Sequence, residues 1–584
     1  LTGSGQRAAG SGQRAAGSGQ RAAGSGQRAA GSGQRAAGSG QRAVLVAVRS
    51  AGALHRLLDV LPAFDGDNRV TTRFTLVPGS DFDVDALSAL DRAGARTLAW
   101  DEALRTEHDL ILAASPKGAL RQLSGPRALL PHGAGFNKTV SDDGSAGVPS
   151  GLDPHYLLAE GEPWADLHAL AHEEQVSRLA RHCPVTARRA AVVGDPTLDR
   201  LLASVPHRAE YRDALGTGPR RLIVLVSTWG PESLLARRPG LPADLSALLP
   251  HDSFQVALVL HPNEHSGTGR FDLSRWLAPA LAAGLVLSRP YEEWAALLAA
   301  ADAVVTDHGS TALYAAALGH PVIGAYDGGH ELIPDSPMAR LLAAAPHLSA
   351  ASDLPEVLRA ALTVDARGHA SAAFARQGEA LPLLRQHLYR LLGLRPPADP
   401  PEARAFPAPS AAPRRPRAFA VRAEVSGDRV AVERFPVHTR EPVHHVAAEY
   451  PTAGPREVQS AAVLWRRKED TAPRTRATVW TASGWTAHVL AEAPGCRTAV
   501  AVLTRRRCLL RHRKAGLLHL RMEPRHDAGR VSYADPVAVA SAVHVWLGAN
   551  ATRALPVWLT CDIGPVAVRV HLAPADTDDL DYEL

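Results

Sequence analysis

Twice along this chain of 584 residues, short aliphatic runs alternate with amphipathic stretches. In the first series, VLVAV (44–48) and VTTRFTLV (70–77) flank AGALHRLLDVLPAF (51–64), and VDALSALDRAG (84–94) follows. ARTLAW (95–100), DLILAA (109–114) and RALLPHG (127–133) are the next strand candidates. The second series comprises RLIVLVSTW (221–229), FQVALVLHP (254–262), GLVLS (284–288), DAVVTDHG (302–309) and HPVIGAY (320–326). Strands that alternate with helical stretches imply parallel βαβ units. The predicted class is α/β: two facing, doubly wound, Rossmann-like domains, over 44–215 and 216–394, the latter ending in the helix ALPLLRQHLYRLLGL (380–394).

The flanks differ in character. Residues 1–43 repeat GSGQRAA. Each copy contains Gly-x-Gly-x-x-Ala, but that fingerprint binds a dinucleotide only between a strand and a helix. The seven-residue period offers no pair of separated apolar positions for a coiled-coil seam. Two glycines per repeat each cost about 1 kcal/mol in a helix. This segment is predicted to be a disordered tail. The run RPPADPPEARAFPAPSAAPRRPR (395–417) reads as an extended Pro/Ala/Arg linker. Beyond it, RAFAVRAEVSGDRVAVERF (417–435) reads as a hairpin, and 418–584 as a smaller α+β domain.

Charge excludes some functions. Six of the 64 basic residues lie in the tail, and the remaining 58 balance 59 acidic ones. A near-neutral body argues against a general nucleic-acid surface. The runs WRRK (465–468), RRR (505–507) and RHRK (511–514) read as solvated faces. The four cysteines, Cys183, Cys496, Cys508 and Cys561, include no Cys-x-x-Cys, which argues for a reducing compartment. No run of about 18 apolar residues would span a membrane, and no secretory h-region is visible. The expected location is the cytoplasm, with peripheral membrane association left open.

Five strand-to-loop junctions carry polar or Gly-rich residues. LLPHGAGFNK presents His132, Gly133 and Lys138. VVGDPTLDRLL (192–202) presents Asp195, and VSTWGPESLL presents Ser227, Thr228 and Trp229. VLHPNEH presents His261. VVTDHGSTALYAAALGHPVI presents Asp307 and His308, then Gly309, Ser310 and Thr311 at the start of a helix. Ligands bind outside the carboxyl ends of parallel strands, where these residues fall. A helix start with a bare glycine and two hydroxyls suits an anion. It equally suits an ordinary helix with Ser310 as its cap. His168 and His172, in HALAHEEQ, read as one helix face, and DFDVD (81–85) as a helix cap.

The segment TDHGSTALYAAALGHPVI resembles the Thr-Asp-x-x-Ser … Gly-x-Pro-Val-Ile segment of CDP-glycerol glycerophosphotransferases, teichoic-acid polymerases of the GT-B superfamily. HGAGFNK, STWGP and HP resemble that family's His-Gly, Ser-Thr-Trp and His-Pro segments, in the same order. VVGDPTLDRLL resembles a segment shared more widely with GT-B enzymes, including UDP-N-acetylglucosamine 2-epimerases. The similarity covers roughly residues 44–394, and the whole chain also resembles a group of actinobacterial proteins.

The resemblance implies a GT-B fold, His132 as catalytic base and His261 as a catalytic ligand of donor phosphate. It implies that Ser227, Thr228, Trp229, Asp307, Gly309, Ser310 and Thr311 hold the nucleotide donor. Gly133, Lys138, Asp195 and His308 are further site candidates. The polymerases carry Asp where this chain has Tyr314, and Ser where it has Gly309. The epimerases' acidic residues after the Gly-rich turn have no match in TALYAAALG. The resulting expectation is a transferase. It moves a glycosyl or polyol-phosphate group from a nucleotide-activated donor to an unspecified hydroxyl acceptor, with no cofactor and no metal. An NDP-sugar epimerase or hydrolase and a non-catalytic nucleotide- or partner-binding protein are the alternatives.

Overall fold

The computed structural model describes residues 41–584 apart from 80–86, 88–89, 132, 140–144, 146, 291–292, 411–414, 437–441, 469–477 and 528. Strands β1 Arg42–Val48, β2 Val70–Leu76, β3 Leu110–Ala113, β4 Arg127–Leu129, β5 Leu167–Leu170 and β6 Ala190–Val192 form the first sheet. Its order is β2-β1-β3-β4-β5-β6, with every pairing parallel. The near-continuous aliphatic burial of β1 and β3 fits a sheet covered on both faces. Strands β7 Arg221–Ser227, β8 Phe254–Leu260, β9 Val286–Leu287, β10 Ala303–Thr306 and β11 Val322–Gly324 form the second sheet. Its order is β9-β8-β7-β10-β11, again all parallel. The two parallel α/β sheets expected from the alternating pattern are both present.

Several expectations are corrected. β1 starts at Arg42, inside the segment read as tail, and Arg42 donates to Asp109 Oδ1 at 3.4 Å. ARTLAW is not a strand. Thr97 makes one isolated bridge to Phe74, and a helix starts at Trp100 with Asp101 and Glu102 in its first turn. Those carboxylates favour a helix N-terminus. His168 and His172 do not share a helix face. His168 lies on β5, paired beside Leu129 of β4, and His172 caps the helix Glu173–His182 by accepting from the Glu174 amide. The short run LHAL satisfies its backbone by sheet pairing, which a helical reading of the i, i+4 spacing overlooks. DFDVD lies outside the described residues.

Four helices position the parts discussed below: α1 Ala51–Leu58, α2 Pro196–Ser204, α3 Thr311–Ala317 and α4 Ala380–Leu392. α4 follows the second sheet in sequence, yet Leu381, Leu384, Leu388 and Leu392 pack in the apolar cluster of the first. The Asp199 carboxylate holds its start by accepting from the Gly378 and Ala380 amides. The Pro-rich segment is also tied to the body. Phe406 is buried, its carbonyl accepts from the Tyr211 hydroxyl, and Arg200 stacks on its ring.

The C-terminal region has strands and helices, as expected, and closes into a nine-stranded barrel. Its strands are β12 Ala418–Ser426, β13 Arg429–Pro436, β14 His445–Glu449, β15 Ala461–Arg467, β16 Thr498–Val502, β17 Arg507–His512, β18 Gly516–Met522, β19 Val557–Ile563 and β20 Val566–Pro574. The order is β12-β13-β19-β20-β18-β17-β16-β15-β14, closed by the antiparallel β12–β14 pair. The hairpin predicted at Ser-Gly-Asp joins β12 to β13, and Gly427 adopts the positive φ of 59° that favours glycine. A further helix, α5 Ala482–Glu492, packs on β16 and β17, and α6 Pro536–Ala549 fills the interior. Val537, Val543 and Trp546 of α6 share one apolar cluster with residues from all nine strands. A helix apolar all round belongs in such a core. Arg434 fastens the barrel to the second sheet's region by reaching both Asp252 and Asp535.

Candidate active site

Each parallel sheet has one place where the chain reverses its direction of strand addition. In the second sheet it lies between β7 and β10. In the first it lies between β1 and β3. Side chains just past the carboxyl ends of these strands gather around one cavity of about 420 Å³. A crevice at such a switch point is the usual ligand position in open α/β sheets. Ser227, Thr228, Trp229, His261, His308, Gly309, Ser310 and Thr311 line it from the second sheet, Gly133 and Lys138 from the first. His132 lies outside the described residues, although Pro131 and Gly133 on either side of it line the cavity.

The second-sheet wall is organised by Asp307, which is fully buried and does not line the cavity. Its carboxylate accepts from the Thr228, Leu234 and Gly309 amides, each at 2.8 Å. It therefore ties the loop after β7 to the loop after β10. Burial raises the Asp307 carboxyl above its ordinary range, against the opposing pull of His308 and the three amides. Ser227 is committed to the same loop: its hydroxyl accepts from the Leu235 amide and donates to the Thr228 carbonyl. A Cβ on Gly309 would stand 3.1 Å from Asp307 Oδ1 and 3.4 Å from Thr228 Cβ, so a side chain there needs these neighbours to give way. Ser310 occupies the cap position of α3, but its hydroxyl makes no capping bond. That leaves the ordinary helix-cap role unfilled.

Two imidazoles belong to this wall. His261 caps the helix Pro262–Thr268, its Nδ1 accepting from the Asn263 amide at 3.1 Å. The neutral ring then carries its proton on Nε2, a donor suited to phosphate oxygen. The Trp229 ring lies 6.2 Å from it, centroid to centroid. His308 is buried, with Nε2 3.1 Å from Glu331 Oε2. Glu331 Oε2 is also 3.5 Å from Lys138 Nζ, which lies 5.1 Å above the Trp229 ring. Lys138 and Glu331 thus join the two walls. The backbone continues the connection: Thr139 N donates to Glu331 O, and Ile333 N to Asn137 O. Gly133 is equally constrained, because a Cβ there would lie 3.2 Å from Ser310 Oγ.

The first-sheet wall contains residues that no sequence motif singled out. Arg56 of α1 makes a two-pronged pair with Asp195, at 3.0 and 2.8 Å, and donates to the Tyr314 hydroxyl at 3.0 Å. Tyr314 in turn donates to Asp195 Oδ2 at 2.9 Å. Thr197 bridges Arg56 to Asp59, and Asp59 pairs with Arg200. Burial opposes ionisation of Asp195, but the Arg56 charge and the hydrogen bonds outweigh it and hold the carboxyl below its ordinary range. Burial raises the Tyr314 phenol, keeping it a neutral donor. Asp195 is therefore a link between the walls and not a lining residue. Nearby, burial and Arg49 lower the Lys117 ammonium to about 8. The lining carries Arg49, Arg56, Lys117, Lys138, Arg200 and Arg289 against one carboxylate, Asp59. Two signals could have marked this wall: the basic residue on α1 just after β1, and Tyr314 in place of an acid.

Among the described residues, the one cluster of three metal-ligating side chains is far from these residues in sequence, on the barrel. No helix among them is long and apolar enough to cross a membrane.

No protein-family model matches the chain, and no curated protein matches it. Solved structures do. The wall teichoic acid polymerase TagF is 14% identical, with a TM-score of 0.44 over 61% of this chain and 89% of that one. S. aureus MnaA in complex with UDP is 12% identical, with a TM-score of 0.39 over 63% of this chain and 100% of that one. The UDP-GlcNAc 2-epimerase from Neisseria meningitidis bound to UDP-GlcNAc is 12% identical, with a TM-score of 0.39 over 60% of this chain and 99% of that one. A polymerase of teichoic acid and an epimerase of UDP-GlcNAc are the two kinds of enzyme that the sequence motifs resemble.

Proposed function

We propose that the chain is a GT-B-type transferase that moves a glycosyl or polyol-phosphate group from a nucleotide-activated donor to a hydroxyl acceptor. The observation that carries this reading is the cavity between the two sheets. One of its walls is built of hydroxyls, two imidazoles and a helix start, and the other is rich in cations. In this reading the second-sheet wall takes the donor. The Ser310 and Thr311 amides and the Nε2–H of His261 receive its diphosphate, the bare Gly309 lets it approach, and Trp229 offers an aromatic face. Donors already fixed by Asp307 and by the Asn263 amide need no reorganisation as negative charge develops on the leaving group. Lys138, held by Glu331, adds positive charge from the opposite wall. His132 takes the acceptor proton, a role that rests on the sequence resemblance alone. Such proton transfer contributes about 10²- to 10⁴-fold.

The test pairs calorimetry with product detection. UDP and CDP are titrated into the full chain, and release of nucleotide from UDP- and CDP-linked donors is followed with a panel of hydroxyl acceptors. Binding with acceptor-dependent release supports the transferase. Release without any acceptor transfers the assignment to an epimerase or hydrolase. A second reading, binding without catalysis, is favoured by one feature. Tyr314 replaces the family's acid and is locked between Arg56 and Asp195. Tight nucleotide binding with no release under any acceptor would select it.

A further inference from the structure

The C-terminal segment returns to the barrel through the turn Thr577–Asp579, just after β20. Asp579 is fully buried there, and His519 of β18 is 8% exposed. Asp579 Oδ1 accepts from Arg507 at 2.7 Å. Asp579 Oδ2 accepts no hydrogen bond, and His519 Nε2 is likewise buried without a partner. His519 Nδ1 stands 3.0 Å from Asp579 Oδ2, yet the two do not satisfy hydrogen-bond geometry. A buried carboxylate oxygen without a hydrogen-bond donor is destabilising.

This arrangement has a simple explanation. Ligand atoms about 2.0–2.2 Å from one tetrahedral zinc ion stand about 3.3–3.6 Å apart and point at the ion, not at each other. Asp576 adds a carboxylate oxygen, so that donor atoms of His519, Asp576 and Asp579 all lie within 4.8 Å of one another. Asp576 is exposed, which gives an ion a path from solvent. Arg507 sits behind Asp579 and orients its carboxylate, as outer partners of metal ligands do. One imidazole and two carboxylates suit a divalent transition metal, zinc above all.

We propose that His519, Asp576 and Asp579 bind a divalent transition-metal ion, zinc by preference, which clips the C-terminal segment to strand β18. The site is independent of the transferase reading, since all three ligands belong to the barrel region. Zinc bound to the folded state alone raises stability with its concentration. The experiment uses the full chain, stripped with chelator and dialysed against zinc chloride. Bound metal is counted by elemental analysis and the melting temperature is followed against zinc concentration. One zinc per chain and a zinc-dependent rise in melting temperature are expected. Asp576→Asn and His519→Gln should each weaken zinc binding about tenfold or more. Asp576 is exposed, so its variant keeps the test valid if His519→Gln folds poorly. Cobalt in place of zinc should give a visible absorption band that both variants lose. Absence of bound zinc, or zinc binding unchanged in both variants, overturns the proposal.

Discussion

The two-sheet region and the barrel treat their interiors in opposite ways. Parallel sheets bury both faces under helices and leave their strand ends as the accessible ground. Two sets of ends meet around a cavity of about 420 Å³. The barrel turns its apolar strand faces inward and fills the enclosed space with α6, so Trp546 and Val543 occupy the place a ligand would need. The cavity is lined by groups with chemistry to offer, and the barrel interior by groups that only pack. The metal ligands proposed for the barrel region, His519 and Asp579 among them, are not part of that packed interior. The difference follows from strand direction and closure. An open parallel sheet creates a crevice at its switch point, and a closed barrel of this size with its own helix creates none.

Acid should act on both regions, with the largest effect. Burial holds neutral imidazoles in each: His55, His168, His251 and His320 are lowered to about 4 in the two-sheet region. In the barrel His544 is lowered to about 4 and His445 to about 3, the latter helped by His544 and His444. The unfolded chain takes up these protons near pH 6.5, and the folded chain does not. Their stability is complete above pH 6.5 and is lost as pH falls toward 4, at about 2 kcal/mol per histidine by pH 5. Asp199, raised to about 6 by burial, works in the other direction, as do the raised Asp59 and Asp307, but the six histidines outnumber them. Melting temperatures measured from pH 7.5 to 5 should fall steeply. A flat profile would mean that these imidazoles are not buried neutral.

Two substitutions sharpen the contrast between a working cavity and a packed interior. Arg56→Ala strips the cation from buried Asp195, and breaking such a pair costs about 3–5 kcal/mol in urea unfolding. Since Arg56 also lines the cavity, nucleotide binding should weaken with it. Trp546→Ala should cost a similar amount, about 3–5 kcal/mol, through the void it leaves in the barrel. It should not change nucleotide affinity in the folded protein. Altered affinity in Trp546→Ala would mean that the barrel interior is coupled to the cavity.

The smaller effect belongs to His261. His261→Ala removes both a helix cap and a phosphate donor. His261→Asn keeps a capping side chain. The expected loss of nucleoside diphosphate affinity is about 1.5–3 kcal/mol in both variants, the range of a hydrogen bond to a charged group. Stability should fall by about 1 kcal/mol in the alanine variant and much less in the asparagine one. Equal affinity in His261→Ala and the parent, measured by calorimetry, would remove His261 from the donor wall.

The sequence by itself determined the two parallel sheets and the positions of their strand ends, because aliphatic runs and the polar junctions after them are local patterns. It thereby brought Gly133, Lys138, Trp229, His261 and the 308–311 stretch onto the candidate list, and these do line one cavity. Local pattern misled where a short run was judged by period alone, as at ARTLAW and at His168. Only the tertiary structure decided the rest. Arg56 meets Asp195 and Tyr314, 139 and 258 residues away, because α1, α2 and α3 converge past the ends of different strands. Barrel closure rests on pairs such as Arg429 with Thr560, and the plug on a helix that could have covered an open sheet equally well. Partners that far apart are chosen by which surfaces remain to be buried once the local elements exist, and no local period records that choice.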